Sequence, residues 1–139
     1  MLHKIEHKIA RLRYYIDLLK SYRSECEERF GKDPLYEGAV LHYLYLVSDG
    51  SIALAEMVLR LKKCGRSQSY FEAIDRLGEC GVLPPEFAYE FAKIASFRNF
   101  LAHDYEKIDA KKICKEALQK LEQIEEYIGY VEQATGLAS

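Results

Sequence analysis

The stretch "DPLYEGAVLHYLYLVSDGSIALAEMVLRLKKCG", residues 33–65, decides how this chain is to be folded. Its middle holds Asp49-Gly50, a pair that often makes a turn. Yet the apolar positions Tyr36, Val40, Tyr43 and Val47 resume at Leu54, Val58 and Leu61 in the same helical period. The segment therefore reads as one continuous or kinked helix. Asp33-Pro34 supplies an N-cap followed by proline at the first helical position, and Cys64-Gly65 ends the run.

The flanks repeat the pattern. Ile5, Ile9, Leu12, Ile16, Leu19, Cys26 and Phe30 form the stripe of a first helix, stopped at Gly31. Ser69-Tyr70-Phe71-Glu72 has the form of a capping box, and a short helix should run from it to about Glu79, before Gly81. Pro84-Pro85-Glu86 opens a fourth helix that turns Phe87, Phe91, Ile94, Phe97 and Leu101 inward. Asp109 then caps a last helix carrying Ile113, Ala117, Leu121, Ile124, Ile128 and Val131. No segment alternates with period two for long enough to make a strand. The expected fold is all-α: an antiparallel bundle of about five helices, a single domain over residues 1–139.

Composition narrows the function. With 49% hydrophobic and 30% charged residues, the 139-residue chain can bury a real core. A net charge of −2 argues against a nonspecific nucleic-acid binder, which carries a basic excess. It leaves room for a small local phosphate site. Cys26, Cys64, Cys80 and Cys114 show neither C-x-x-C nor paired-histidine spacing, so neither zinc nor a disulfide framework is expected. With no secretory signal and no apolar run of bilayer length, the chain reads as a reduced, cytoplasmic protein. No glycine-rich phosphate loop occurs, and no cofactor is expected.

The polar residues of "SFRNFLAHDYEKID", residues 96–109, stand apart from this apolar periodicity. Five helical residues put Arg98 and His103 about 140° apart. The two can converge where the helix ends or loosens near Ala102 to Asp104. Arg98 offers a permanent cation with a planar fork of donors for phosphate oxygens. His103 offers an imidazole, which exchanges protons near neutrality. Asn99 can hold the imidazole or a ribose hydroxyl, and Tyr105 adds a phenol. Together they suit metal-free phosphodiester cleavage: a base takes the ribose 2′-hydroxyl proton, an acid protonates the leaving oxygen, and a cation stabilises the added charge. One imidazole cannot easily serve both ends of an in-line displacement. A twofold dimer would bring two copies of His103 to one cleft. An isolated arginine and histidine at this spacing also fit a structural role.

Other polar groups carry less. His3 and His7 stand four apart but lack a third ligand and read as a solvated face. Lys4, Lys8 and Arg11 form a basic strip that also reads as solvated. His42, among tyrosines, is expected in the core or at an interface. Lys111, Lys112 and Lys115 could lend positive potential to the site or sit in water. Cys114 is expected to pack as a small apolar residue.

Over roughly Val40 to Asp109 the chain resembles the HEPN superfamily, specifically the HepT-like toxins of HepT/MNT toxin–antitoxin pairs. The shared signature is R-polar-x3-H-x-Y, here Arg98-Asn99-Phe100-Leu101-Ala102-His103-Asp104-Tyr105, within "SYFEAIDRLGECGVLPPEF" and "IASFRNFLAHDYEKID". The resemblance implies a HEPN bundle acting as a homodimer and a metal-independent endoribonuclease. It implies Arg98 and His103 as the catalytic pair, supported by Asn99 and Asp104. It also implies an RNA substrate rather than DNA, and a cognate minimal nucleotidyltransferase antitoxin that attaches AMP to Tyr105. A noncatalytic HEPN module that binds a nucleotidyltransferase or its substrate is the alternative; a generic helical interaction protein is a third reading.

Overall fold

In the computed structural model, which describes residues 1–137 apart from the Tyr105 side chain, Asp49-Gly50 makes no turn. The helices are α1 (Leu2–Arg23), α2 (Cys26–Arg29), α3 (Pro34–Lys62), α4 (Tyr70–Glu79), α5 (Pro85–Phe91), α6 (Ile94–His103) and α7 (Leu121–Thr135). A 3₁₀ turn, Tyr105–Lys107, follows α6; a π-helical stretch, Lys112–Ala117, and a second 3₁₀ turn, Leu118–Lys120, lead into α7. The protein is an all-α bundle, with no strand among the described residues.

Helix α3 is its axis. The Asp33 carboxylate accepts from the Leu35 and Tyr36 amides at 3.1 and 3.2 Å, with Pro34 behind it. Lys63, in the left-handed conformation at φ 56°, closes the other end. The helix is apolar on more than one side, so it is buried rather than merely amphipathic. Val40, Val47, Leu54 and Val58 are inaccessible, and Leu41, Leu44, Ile52 and Leu59 nearly so. It packs on α1, α4, α6 and α7.

Two glycines are places of close approach. A Cβ at Gly50 would meet Leu12 Cδ2 of α1 at 2.8 Å, a flexible side-chain end. A Cβ at Gly78 of α4 would meet Ala88 Cβ at 2.9 Å and the Pro85 backbone Cα at 3.2 Å, on α5. Backbone cannot swing away as a leucine tip can. Gly78→Ala is therefore expected to cost about 1–3 kcal/mol and Gly50→Ala less, as read by urea unfolding. Equal costs would contradict this account.

Ion pairs set the antiparallel register of α1 on α7. Arg13 grips Glu132 through two 2.7 Å hydrogen bonds, Lys20 meets Glu125 at 2.7 Å, and Arg23 meets Glu122 at 3.0 Å. Hydrogen bonds from Arg13 and Arg23 hold the carboxyls of Glu132 and Glu122 below the ordinary range. Between the helices, Tyr127 is fully buried and donates to the Ser51 carbonyl at 2.8 Å; burial pushes its phenol pKa far up.

Three helices expected to be continuous are divided; the last passes through the π-helical stretch and a 3₁₀ turn before α7 begins at Leu121. The first ends at Arg23 and restarts at Cys26, where the Tyr36 hydroxyl donates to the Tyr22 carbonyl, a contact that only packing supplies. The fourth divides into α5 and α6 through short-range hydrogen bonds at Ala92 to Ser96, while Ala92 and Lys93 keep right-handed helical dihedrals. No glycine or proline marks that break.

The cysteines correct another expectation. Cys26 pairs with Cys114 across 88 residues, at a Cα separation of 5.5 Å, tying α2 to the π-helical stretch. Cys64 pairs with Cys80 at a Cα separation of 6.2 Å, tying the end of α3 to the end of α4. Both separations suit a disulfide. The spacing of the four residues concealed a pairing that arises where helix ends meet.

Candidate functional site

Ala95 and Leu101 bury one side of α6, with Ile94 and Phe97 partly covered beside them. That rotation leaves Asn99, Ala102 and His103 exposed and puts Arg98 at the seam with α3 and α4. The Arg98 side chain is only 16% exposed. Its Nε donates to Asp49 Oδ1 at 3.0 Å, its Nη2 to the Tyr45 hydroxyl at 3.0 Å and its Nη1 to Asn99 Oδ1 at 3.2 Å. The guanidinium also lies against two rings, 5.3 Å from the Tyr45 centroid and 4.9 Å from that of Tyr70.

Burial works against the charge on Arg98, but the Asp49 hydrogen bond and the negative neighbours outweigh it and raise its pKa above the ordinary value. The cation is thus permanent and fixed. One edge of the fork is occupied by Asp49 and Tyr45. Its Nη1 meets only a neutral amide oxygen, which a phosphate oxygen can replace or join.

Helix α6 continues through His103, its last residue. The helix therefore does not loosen between Arg98 and His103; the two leave it about 140° apart, at the edges of one exposed strip. Asn99 and Ala102 lie between them. Asp104 caps α6 and is exposed; its carbonyl accepts from the Lys107 amide at 2.9 Å. The backbone of Tyr105 opens the following 3₁₀ turn, while its side chain lies outside the described residues.

Some expected contributors lie elsewhere. Asp109 caps the last segment, accepting from the Lys112 amide at 2.8 Å. Lys112 stands over Phe100, 5.1 Å from the ring centroid, on the side of α6 away from Arg98. It lines a cavity of about 580 Å³ with Phe97, Phe100, Leu44 and Ile124, which neither Arg98 nor His103 lines. Lys115 faces Glu27 at 3.8 Å. His3 and His7 are exposed, and no cluster of three metal-ligating groups occurs among the described residues. His42 is exposed rather than in the core, because it lies on the stripe of α3 that faces the C-terminal half of α6.

Sequence reasoning missed Asp49, Tyr45 and Tyr70 as the partners of Arg98. A signal was present: Asp49 is the only carboxylate between Glu37 and Glu56, inside an apolar helix. Its adjacency to Gly50 drew attention to a turn instead.

The family model for HepT-like ribonucleases matches residues 12–131, and the chain belongs to that family. It is 28% identical over 109 residues to the tRNA nuclease HepT of Aphanizomenon flos-aquae (strain 2012/KM1/D3), covering 78% of this chain and 74% of that protein. Its fold is similar to that of the tri-AMPylated HEPN toxin of Shewanella oneidensis, solved in complex with MNT antitoxin. That match has TM-score 0.82 and 20% identity, over 93% of this chain and 96% of the other. A cytosolic protein of unknown function, YutE from Bacillus subtilis, is also similar, with TM-score 0.68, 19% identity and coverage of 99% and 94%.

Proposed function

We propose that this chain is the endoribonuclease toxin of a HepT/MNT toxin–antitoxin pair, and that Arg98 and His103 carry its chemistry. The observation that carries the reading is the fixing of Arg98 by Asp49 and Tyr45 on the same exposed strip as His103. A buried structural arginine would have both edges of its fork saturated; this one keeps Nη1 toward the strip. Membership of a ribonuclease family supports the same chemistry.

In the proposed reaction His103 takes the 2′-hydroxyl proton of a ribose. The 2′-oxygen attacks the adjoining phosphorus, and the bond to the 5′-oxygen breaks as that oxygen is protonated. The products are a 2′,3′-cyclic phosphate and a 5′-hydroxyl. Arg98 balances the charge gathered on the phosphoryl oxygens. Asn99, already bonded to Nη1, orients that edge. Within one subunit the exit angles of Arg98 and His103 diverge, which favours a homodimer in which a second His103 serves the other end of the displacement. The proposal includes a nucleotidyltransferase partner that modifies Tyr105, and action in the cytoplasm, where a reducing environment would hold the Cys26/Cys114 and Cys64/Cys80 pairs as adjacent thiols. No helix among the described residues is long and apolar enough to cross a membrane.

The test is digestion of total bacterial tRNA by the purified protein in the presence of a chelator. Cleavage that survives chelation supports the reading; an absence of cleavage together with copurification of a nucleotidyltransferase supports the noncatalytic module. Asp49 provides a sharper check. Its side chain is 46% exposed, so Asp49→Asn should barely change the melting temperature. Loosening the guanidinium should nevertheless lower kcat/KM about ten- to a hundredfold. Unchanged kinetics would remove Asp49 from the site.

A further inference from the structure

On α3, His42, Tyr45 and Asp49 follow the i, i+3, i+7 spacing and so lie on one stripe of the helix. The stripe runs antiparallel to α6. Asp49 and Tyr45 bond Arg98, and one turn further on His42 stands beside Leu101 and Ala102. Between these residues is a hollow of about 340 Å³, lined by Leu41, His42, Tyr45, Leu101 and Ala102. That volume lies within the range of small-molecule sites, which begins at about 300 Å³.

We propose that this hollow is a nucleobase subsite, taking the base of a nucleotide that adjoins the phosphate held at Arg98. The inference rests on the ribonuclease reading and adds to it where the substrate is gripped. Two features support it. The hollow adjoins the phosphate site through Tyr45, whose hydroxyl accepts from Arg98 and which also lines the hollow, although Arg98 itself does not line it. Its lining also matches a base in kind: two aromatic rings and an apolar floor accept a π-face without demanding a particular edge pattern. Proteins grip unpaired RNA in this way, by stacking bases on aromatic side chains. His42 adds a ring nitrogen for an edge hydrogen bond. The exposure of His42 beside the motif then has a use.

Mononucleotides test this without requiring turnover. Adenosine and uridine 5′-monophosphates are titrated into the protein, with ribose 5-phosphate as the baseless control, while NMR follows the Ala102 methyl and the His42 ring. Both nucleotides should shift both signals, and ribose 5-phosphate should not. Ala102→Leu fills the hollow from an exposed helical position that tolerates leucine. It should weaken nucleotide binding about tenfold; His42→Ala, on α3 and outside the strip that carries Arg98 and His103, should also weaken nucleotides and should leave ribose 5-phosphate unchanged. Equal shifts from the baseless control, or no shift at Ala102 and His42, would overturn the proposal.

A second arm uses RNA oligonucleotides spanning a mapped cut, with an abasic residue on one side of it. The abasic change should lower kcat/KM about tenfold in the parent and scarcely at all in His42→Ala. If it costs both proteins equally, the subsite fails and the ribonuclease reading stands. If no RNA is cut but His42→Ala still loses nucleotides selectively, the catalytic reading fails and the hollow remains a base site.

Discussion

Arg98→Ala is expected to lower RNA cleavage about a hundred- to a thousandfold while leaving the bundle folded. Removing one fixed donor from a developing oxyanion costs that much. Arg98→Lys should not rescue, because an ammonium cannot bind Asp49, Tyr45 and a phosphate through one rigid fork. His103→Ala should cost about a hundred- to ten-thousandfold through loss of proton transfer. The double variant should be little worse than the poorer single one, since the two groups serve one transition state. Stability should change little. His103 is exposed, and Asp49 remains half in water when its partner is removed, a situation that costs at most about 1 kcal/mol. Initial rates on tRNA with circular-dichroism melts would check both halves. If each variant cut as well as the parent, the site assignment would be lost.

Coexpression with the cognate nucleotidyltransferase should silence the protein almost completely. The Tyr105 phenolic oxygen would attack the α-phosphorus of ATP, pyrophosphate would leave, and an adenylyl group would remain. Its phosphodiester charge would compete with an RNA phosphate for Arg98, and its bulk would crowd His103. The spacing suits this, because two extended residues span about 7 Å and Tyr105 opens the turn that directly follows α6. Intact-mass measurement should show the protein heavier in AMP-sized steps, with cleavage lost in parallel. Tyr105→Phe should remove the step at that residue and restore activity in the presence of the antitoxin. A full set of steps in Tyr105→Phe would place the modification elsewhere.

Much of the bundle was legible because helical burial writes itself into spacing. The stripes of α1 and α3 and the caps at Asp33, Ser69 and Asp109 are local signals that fell where they were read, and α7 carries the Leu121 to Val131 part of the last stripe. The breaks at Ser24-Glu25 and Ala92-Lys93 were not legible, since neither carries a glycine or proline and one follows from a hydrogen bond between distant helices. The cysteine pairs were missed for the same reason: their partners meet only once the helix ends are assembled.

Residues 98–105 alone determined the chemistry proposed for this protein, because a guanidinium, an amide, an imidazole and a phenol in that order are a property of the chain. Only the tertiary structure decided how the cation is aimed. The three groups that fix Arg98 come from Tyr45 and Asp49 on α3 and Tyr70 on α4, brought to it by the burial of α3 rather than by proximity along the chain. The same packing made Asp49, in a segment already read as helical, an anchor beside the close helix crossing at Gly50, and set His42 at the edge of a hollow.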